Sequence, residues 1–414
     1  MDLKSFIYKT EDYGVHWKLI IEGITGEHNF ARVVREDPKV PGLLYAGTET
    51  GFYISYNDGE RWRLFQNNLP VVPINDLYIQ DNDLIAATAG RSFWILDDLS
   101  LLQDQKKVEG LHLVTPKDTY RLFSGKTPKA SNQGTNPLSG VILDYYLPKK
   151  IDSLAVILEI LQGDKVIRKM NSKKPISVKK WPGGPSPKLV LPDKVGFNRT
   201  HWDFKRSPVI GIDEVFVYGN YAGSTVGPGI YTARLTYGSD ITETTITILP
   251  NPNVGGSAAD FDEQQQLLVK IDLALYDIHT AVSNMRSIQS QLKYYSKILK
   301  SKIAFKVLLE MASVIEKKLT SWESNLIQPA QKTFQDVINF NNKLNAEWMN
   351  LKQYVDSEDP KLTQGAKDRF QDLTEVWNLH QTELNVIIND DFKAFEAMFK
   401  KLNVPSLLIP ETSE

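Results

Sequence analysis

The sequence has no cysteine among its 414 residues. That excludes disulfides, thiolate metal ligands and cysteine nucleophiles together, and it leaves the compartment open. No apolar run approaches the roughly 20 residues that span a bilayer as a helix. MDLKSFIYKT, at the start, has no apolar stretch of signal-peptide length. Neither sign of charge is in excess. The 48 Lys and Arg and 50 Asp and Glu give a formal net charge of -2, and they are interspersed, which argues against a nucleic-acid or membrane-surface binder. The histidines, His16, His28, His112, His201, His279 and His380, show no HExxH or other ligand spacing, so no metal is expected. There is no P-loop, no GxGxxG after a strand and no DxDxDG calcium loop, so no cofactor is expected either. GSTVGPG (223–229) is Gly-rich but precedes a strand, and it reads as a turn rather than a phosphate cradle.

What is present falls into three zones, and the length predicts two or three domains. Residues 1–102 are rich in Trp, Tyr, Ile, Gly and Asp in short alternating runs. After a linker at 103–110, residues 111–252 stay strand-like with many Pro and Gly. From 257 to 404 the chain reads as helical, interrupted by few prolines, and 405–414 form a tail.

The first zone repeats. Thr10, Asp12, Gly14 and Trp17 align with Ser55, Asn57, Gly59 and Trp62 at a constant offset of 45. LLYAGTETGFYIS aligns with DLIAATAGRSFWIL at an offset of about 40. Such periods fit four-stranded propeller blades. FIYKT and HWKLI are predicted to be the last two strands of one blade. FARVVRED, LLYAGTE, FYISY and RWRLF make a complete blade, and INDLYIQ, DLIAAT and SFWILDD supply three strands of another. About two blades cannot make a whole propeller, which needs at least about four. The expectation is that N-terminal blades outside this sequence complete it, and that the open edges of 1–102 are prone to aggregate.

In the second zone LHLVTPKDTYRLF, GVILDYYL, LAVILEIL with VIRKM, NRTHWDF, and GIYTARLTY with ITETTITIL predict about seven strands. That suggests an immunoglobulin or fibronectin type III-like β-sandwich. In the third, Leu268, Ile271, Leu275, Ile278, Val282, Met285, Leu292 and Leu299 recur at three- and four-residue spacing with one polar layer, Gln289. Phe370, Leu373, Trp377, His380, Leu384, Ile387, Phe395 and Leu402 repeat the pattern. With segments near 303–327 and 334–356 between them, they predict an antiparallel helical bundle, with Ser257 and Asp260 capping its first helix.

The pattern S/T-x-D-x-G-x-x-W has a mechanical reading. A hydroxyl and an Asp or Asn oxygen accept bonds from backbone N–H groups in a tight turn, Gly supplies positive φ, and Trp packs beneath the hairpin. The turn resembles the Asp-box, or BNR repeat, of sialidases and sortilin-type propellers. Residues 1–102 resemble the closing blades of such a propeller, with Asn57 replacing the Asp in the second copy. The order of propeller end, sandwich and helical C-terminus resembles large bacterial proteins labelled glycosyl hydrolases or sortilin-like repeat proteins. The resemblance implies a structural Asp-box on the blade's outer hairpin, and secretion to the periplasm or cell surface.

Glycoside hydrolysis needs two carboxyl groups at roughly 5 to 9.5 Å. Glu49, Asp97 and Asp98 are the acids to consider in the first zone, against a reading as solvated loop acids or turn caps. Arg91 is a candidate arginine of a sialidase-type cluster. In the second zone Trp181, Trp202, Tyr218 and Tyr221 are candidates for stacking on sugar rings. Trp202 alternates like a core residue, and Trp181 beside PGGPSP is the better surface candidate. Three functions stay open: a non-catalytic segment giving support or binding carbohydrate or protein, a glycosidase completed by further blades, and an extracellular scaffold.

Overall fold

In the computed structural model residues 4–105, 108–123, 138–174 and 180–404 are described. The expected tail and residues 106–107 of the linker lie outside them. The architecture is β followed by α, in several separate sheets.

Each strand expected in the first zone forms. β1 (Tyr8–Lys9) and β2 (Lys18–Leu19) make a two-stranded hairpin. β3 (Ala31–Glu36), β4 (Leu44–Thr48), β5 (Phe52–Ser55) and β6 (Arg63–Leu64) make a four-stranded meander, and β7 (Ile74–Gln80), β8 (Asp83–Thr88) and β9 (Phe93–Leu96) a three-stranded one. The sheets stack face to face, and strand alternation decides which residue serves which face. From β4 and β5, Leu44, Ala46 and Tyr53 join Ile7 and Ile20 of the hairpin in one core. Tyr45, Phe52 and Ile54, between them in sequence, join Ile74, Leu77, Leu84 and Ala86 of the three-stranded sheet in another. The middle sheet is therefore covered on both sides. No described sheet covers the outer faces of the stack: Tyr78, Ile85 and Ile95 sit in one register row across β7, β8 and β9, and at the other end Tyr8 pairs with Leu19. Of these, Tyr78, Ile95, Tyr8 and Leu19 are exposed.

A short helix, α1 (Ser100–Asp104), leads into the second zone. There β10 (His112–Leu113), β12 (Val141–Leu147) and β15 (Gly196–Trp202) form one sheet. The other, in the order β11 (Thr119–Tyr120), β17 (Asp240–Leu249), β16 (Gly229–Tyr237), β13 (Val156–Gln162) and β14 (Lys165–Asn171), is antiparallel except that β11 runs parallel to β17. The two sheets share a core built on Leu143, Tyr145, Leu158, Trp202, Leu235 and Ile246. Trp202 is fully buried, in keeping with its alternation.

The helices are α2 (Ala258–Leu299), α3 (Lys306–Leu326), α4 (Leu344–Val355), α5 (Gln364–Val386) and α6 (Lys393–Lys401). α2 packs against α3 and α4, α4 against α5, and α3 against α6. The first helix starts on a reciprocal cap: the Ser257 hydroxyl accepts from Asp260 N, and the Asp260 carboxylate accepts from Ser257 N at 2.8 Å. Gln289, the polar layer of the apolar ladder, donates to Thr320 Oγ1 on α3 at 3.3 Å. Between α5 and α6 a π-turn, Ile387–Phe392, adds one residue to the heptad, so that Phe392, Phe395 and Met398 continue the apolar face. The segment 203–225, between β15 and β16, leaves the sandwich: Val209, Ile212, Val215, Val217 and Tyr221 are buried in the helical core.

Candidate functional site

The two turns of the 45-residue repeat carry matching hydrogen bonds. Thr10 Oγ1 accepts from Gly14 N at 2.7 Å, and Asp12 Oδ1 from His16 N at 2.8 Å. Ser55 Oγ accepts from Gly59 N at 3.0 Å, and Asn57 Oδ1 from Arg61 N at 3.0 Å. In each turn the hydroxyl donates to the Asp or Asn oxygen. Gly14 and Gly59 have φ of 96° and 81°, following Tyr13 and Asp58, which also have positive φ. Six bonds from backbone N–H groups, three in each turn, engage these side chains within their own hairpins.

The two tryptophans separate. Trp62 is 2% exposed, and its Nε1 donates to Ile20 O at 2.9 Å, stitching the four-stranded sheet to the hairpin before it. Gly23 lets the chain pass there: a Cβ on it, at φ +97°, would lie 2.1 Å from Trp62 O. Trp17 does not pack beneath its hairpin as expected. It is 59% exposed and its Nε1 turns back to Gly14 O at 3.0 Å, because no described sheet precedes the hairpin as the hairpin precedes Trp62.

Of the carboxylates considered for glycoside hydrolysis, Glu49 and Asp98 have partners within the fold. Glu49 follows β4 and pairs with Arg32. Arg91, in the equivalent turn after β8, donates to its neighbour's carbonyl, Gly90 O, at 3.0 Å. Asp97 and Asp98 follow β9, at the other end of that strand from Arg91. Asp98 accepts from Asn82 Nδ2 and Ser100 N, both at 3.0 Å, as a turn cap does. The Arg199 guanidinium of the sandwich is held above its ordinary value mainly by Asp144, with Asp98 and Asp97 adding to the effect, so these acids face the second zone.

The sugar-stacking candidates are likewise engaged. Trp181 is half-buried, its ring lies over Gly184 and Pro185 packs beside it at Gly211, and its Nε1 donates to Val215 O at 2.8 Å. Tyr218 packs on Phe334 with ring centroids 4.7 Å apart, and Tyr221 is buried beside His279.

The densest polar chemistry lies at the junction of sandwich and helices, where the sequence reading placed no site. GSTVGPG is an anion cradle there, filled by the protein's own carboxylates. Ser224 N and Oγ donate to Asp272 Oδ2 of α2 at 3.0 and 2.6 Å. Thr225 N and Oγ1 donate to Asp356 Oδ2 at 3.1 and 3.0 Å. Lys352 of α4, 3% exposed, lies between them, donating to Ala222 O at 2.6 Å and standing 3.6 Å from Asp272 Oδ1. Burial pulls the Lys352 ammonium below its ordinary value and pushes the Asp356 carboxyl above its own. Arg121, fully buried, donates to Val226 O at 2.8 Å and to Glu358 O at 3.3 Å. Sequence reading misses these residues because they come from four separated segments; the glycine-rich loop was the one visible signal.

His279 belongs to the same junction. Its Nδ1 faces Ile210 O at 2.6 Å and its Nε2 faces Asn345 Nδ2 at 3.5 Å, an arrangement for the neutral ring with its proton on Nδ1. Burial, aided by Lys352 and opposed by the Ile210 carbonyl, pushes its pKa down to about 4. The folded pKa lies below the unfolded value of 6.5, so this contribution is present above pH 6.5 and is lost as pH falls towards 4. The full shift corresponds to about 3 kcal/mol. Urea midpoints at the two ends of that window should differ less in His279→Gln than in the parent; equal pH slopes would defeat the assignment.

No family model and no curated protein matches the chain. Among solved structures it is similar to the extracellular domain of a hybrid two-component system from B. thetaiotaomicron, at 13% identity, TM-score 0.20, over 59% of this chain and 29% of that one. A second structure, described as the extracellular domain of a one-component system from the same organism, matches with the same identity, coverage and TM-score. The chain thus spans under a third of those domains, and a likeness at this level fixes neither fold nor activity. Among the described residues no helix is long and apolar enough to cross a membrane, and no group of three or more His, Cys, Asp or Glu is placed to hold a metal ion.

Proposed function

We propose that the first zone is the closing part of a BNR, or Asp-box, β-propeller of the sialidase and sortilin type. In this reading the sheets of the second zone are an immunoglobulin or fibronectin type III-like sandwich. That sandwich and the helical bundle brace the propeller as a non-catalytic segment, in a bacterial glycosyl hydrolase-like protein that is secreted or held at the cell surface. The observation that carries this reading is the duplicated turn: the same hydrogen bonds at a 45-residue offset, each on the last hairpin of a stacked sheet. The apolar outer faces of the stack support it, since further sheets of the same build would cover them.

The DNA preceding the codon for Met1 tests the propeller. More S/T-x-D-x-G-x-x-W repeats at a similar period, behind a secretion signal, are the expected finding. A stop codon with no blade-coding sequence nearby would overturn the reading. Chromogenic glycosides, sialosides included, test the other half: the purified chain is expected to release no chromophore, and turnover would make the segment a glycosidase.

A further inference from the structure

Beside the junction network a crevice of about 310 Å³ opens between the sandwich, the 203–225 segment and α4. That is at the small end of ligand pockets, which run from roughly 300 to 1,000 Å³, and it admits one small ring rather than a chain. Its walls differ in chemistry. Phe123, half-exposed, lies on an apolar side, with the Arg121 guanidinium 4.7 Å from its ring centroid. The remaining walls carry two cations, Lys205 and Lys352, and two anions, Asp203 and Asp356. An ionic ligand of either sign would leave one lining charge opposed, whereas a neutral one leaves the balance intact.

The inner pair is spent on the fold, Lys352 on Ala222 O and Asp356 on Thr225. The outer groups keep capacity. Among the described residues Lys205 Nζ and the Gln353 amide have no hydrogen-bond or ion-pair partner. Asn220 uses its Oδ1 on Ala222 N at 2.8 Å and leaves its two Nδ2 hydrogens, and among the described residues Asp203 accepts only from Lys205 N, at 3.3 Å. Donors and an acceptor therefore converge on one small space with an aromatic ring at its side. Hydroxyl groups both donate and accept, and a polyhydroxylated ring also presents an apolar C–H face.

We propose that this crevice binds a small neutral polyhydroxylated ring the size of a single sugar unit, held by Asp203, Lys205, Asn220 and Gln353 against Phe123. The inference is independent of the propeller reading, because every lining residue lies beyond the first zone.

Saturation-transfer NMR and calorimetry on the full chain test it, with D-glucose, D-galactose, D-mannose, N-acetyl-D-glucosamine and myo-inositol as neutral probes. Glucuronate, phosphate and glycine serve as charged comparators. At least one neutral probe should bind with millimolar affinity, and Lys205→Met and Gln353→Ala should each weaken it about tenfold while the thermal melt stays in place. Silence from all neutral probes at tens of millimolar would overturn the proposal. So would binding confined to the charged comparators, or neutral binding that Lys205→Met, Gln353→Ala and Phe123→Ala all leave unchanged.

Discussion

Trp62→Ala should lower the stability of the stacked sheets by about 3 to 5 kcal/mol, the range for truncating a large buried aromatic, while Trp17→Ala should stay within about 0.5 kcal/mol. The two residues hold the same place in the repeat, so sequence alone assigns them one effect. Their surroundings differ. The Trp62 ring fills the core formed by Ile7, Ile20, Leu44, Ala46 and Tyr53, and its removal also leaves Ile20 O without the indole donor. Trp17 loses solvent-facing area and a bond to its own turn. Native-state hydrogen exchange at β4 amides, such as Tyr45 and Ala46, reads the difference: at about 1.4 kcal/mol per power of ten, Trp62→Ala should cut protection by roughly two to three and a half powers of ten if those amides exchange by global opening. Equal losses in the two variants would show that Trp17 is covered in solution by something the described residues do not include.

The strands and helices were legible because their signals are local. Alternation with Gly and Asn at the turns marks β3 to β9, and three- and four-residue spacing marks α2 and α5. The pairing of the two repeated turns was legible because a shared backbone geometry demands the same acceptors at the same positions. Three things were not. The segment 203–225 carries no periodic signal, since Pro208 and Gly211 interrupt it and Val209, Ile212, Val215 and Val217 follow no single spacing, yet those residues complete the helical core. The extra residue at the π-turn looks like a defect in the heptad until the bulge absorbs it. The junction network draws Arg121, Asp272, Lys352 and Asp356 from distant segments, so no motif joins them. GSTVGPG was visible, and its glycines were read for the turn they make; that the backbone amides hold carboxylates depends on which helix packs there.

Lys352→Met should cost about 3 to 5 kcal/mol, as expected when one member of a buried charge cluster is removed and its partners remain. Met keeps most of the apolar stem, so the loss isolates the ammonium rather than the packing. What remains is two carboxylates, Asp272 and Asp356, both anchored by the 224–225 backbone, with the Arg206 guanidinium acting on both and Lys205 and Arg121 on Asp356 but no ammonium in the place of Lys352. Asp272 Oδ1, which has no hydrogen bond among the described residues, has Lys352 at 3.6 Å and would suffer most. Asp272→Asn keeps an oxygen for Ser224 N and Oγ and removes one of the two negative charges. In the Lys352→Met background it should therefore recover part of the loss, whereas in the parent it should destabilise. A double-mutant cycle on urea midpoints is expected to give a coupling of at least about 1 kcal/mol. Additive effects would mean that the lysine acts through its bond to Ala222 O, as a tie for the 203–225 segment, and that the carboxylates are held by the glycine-rich loop without it.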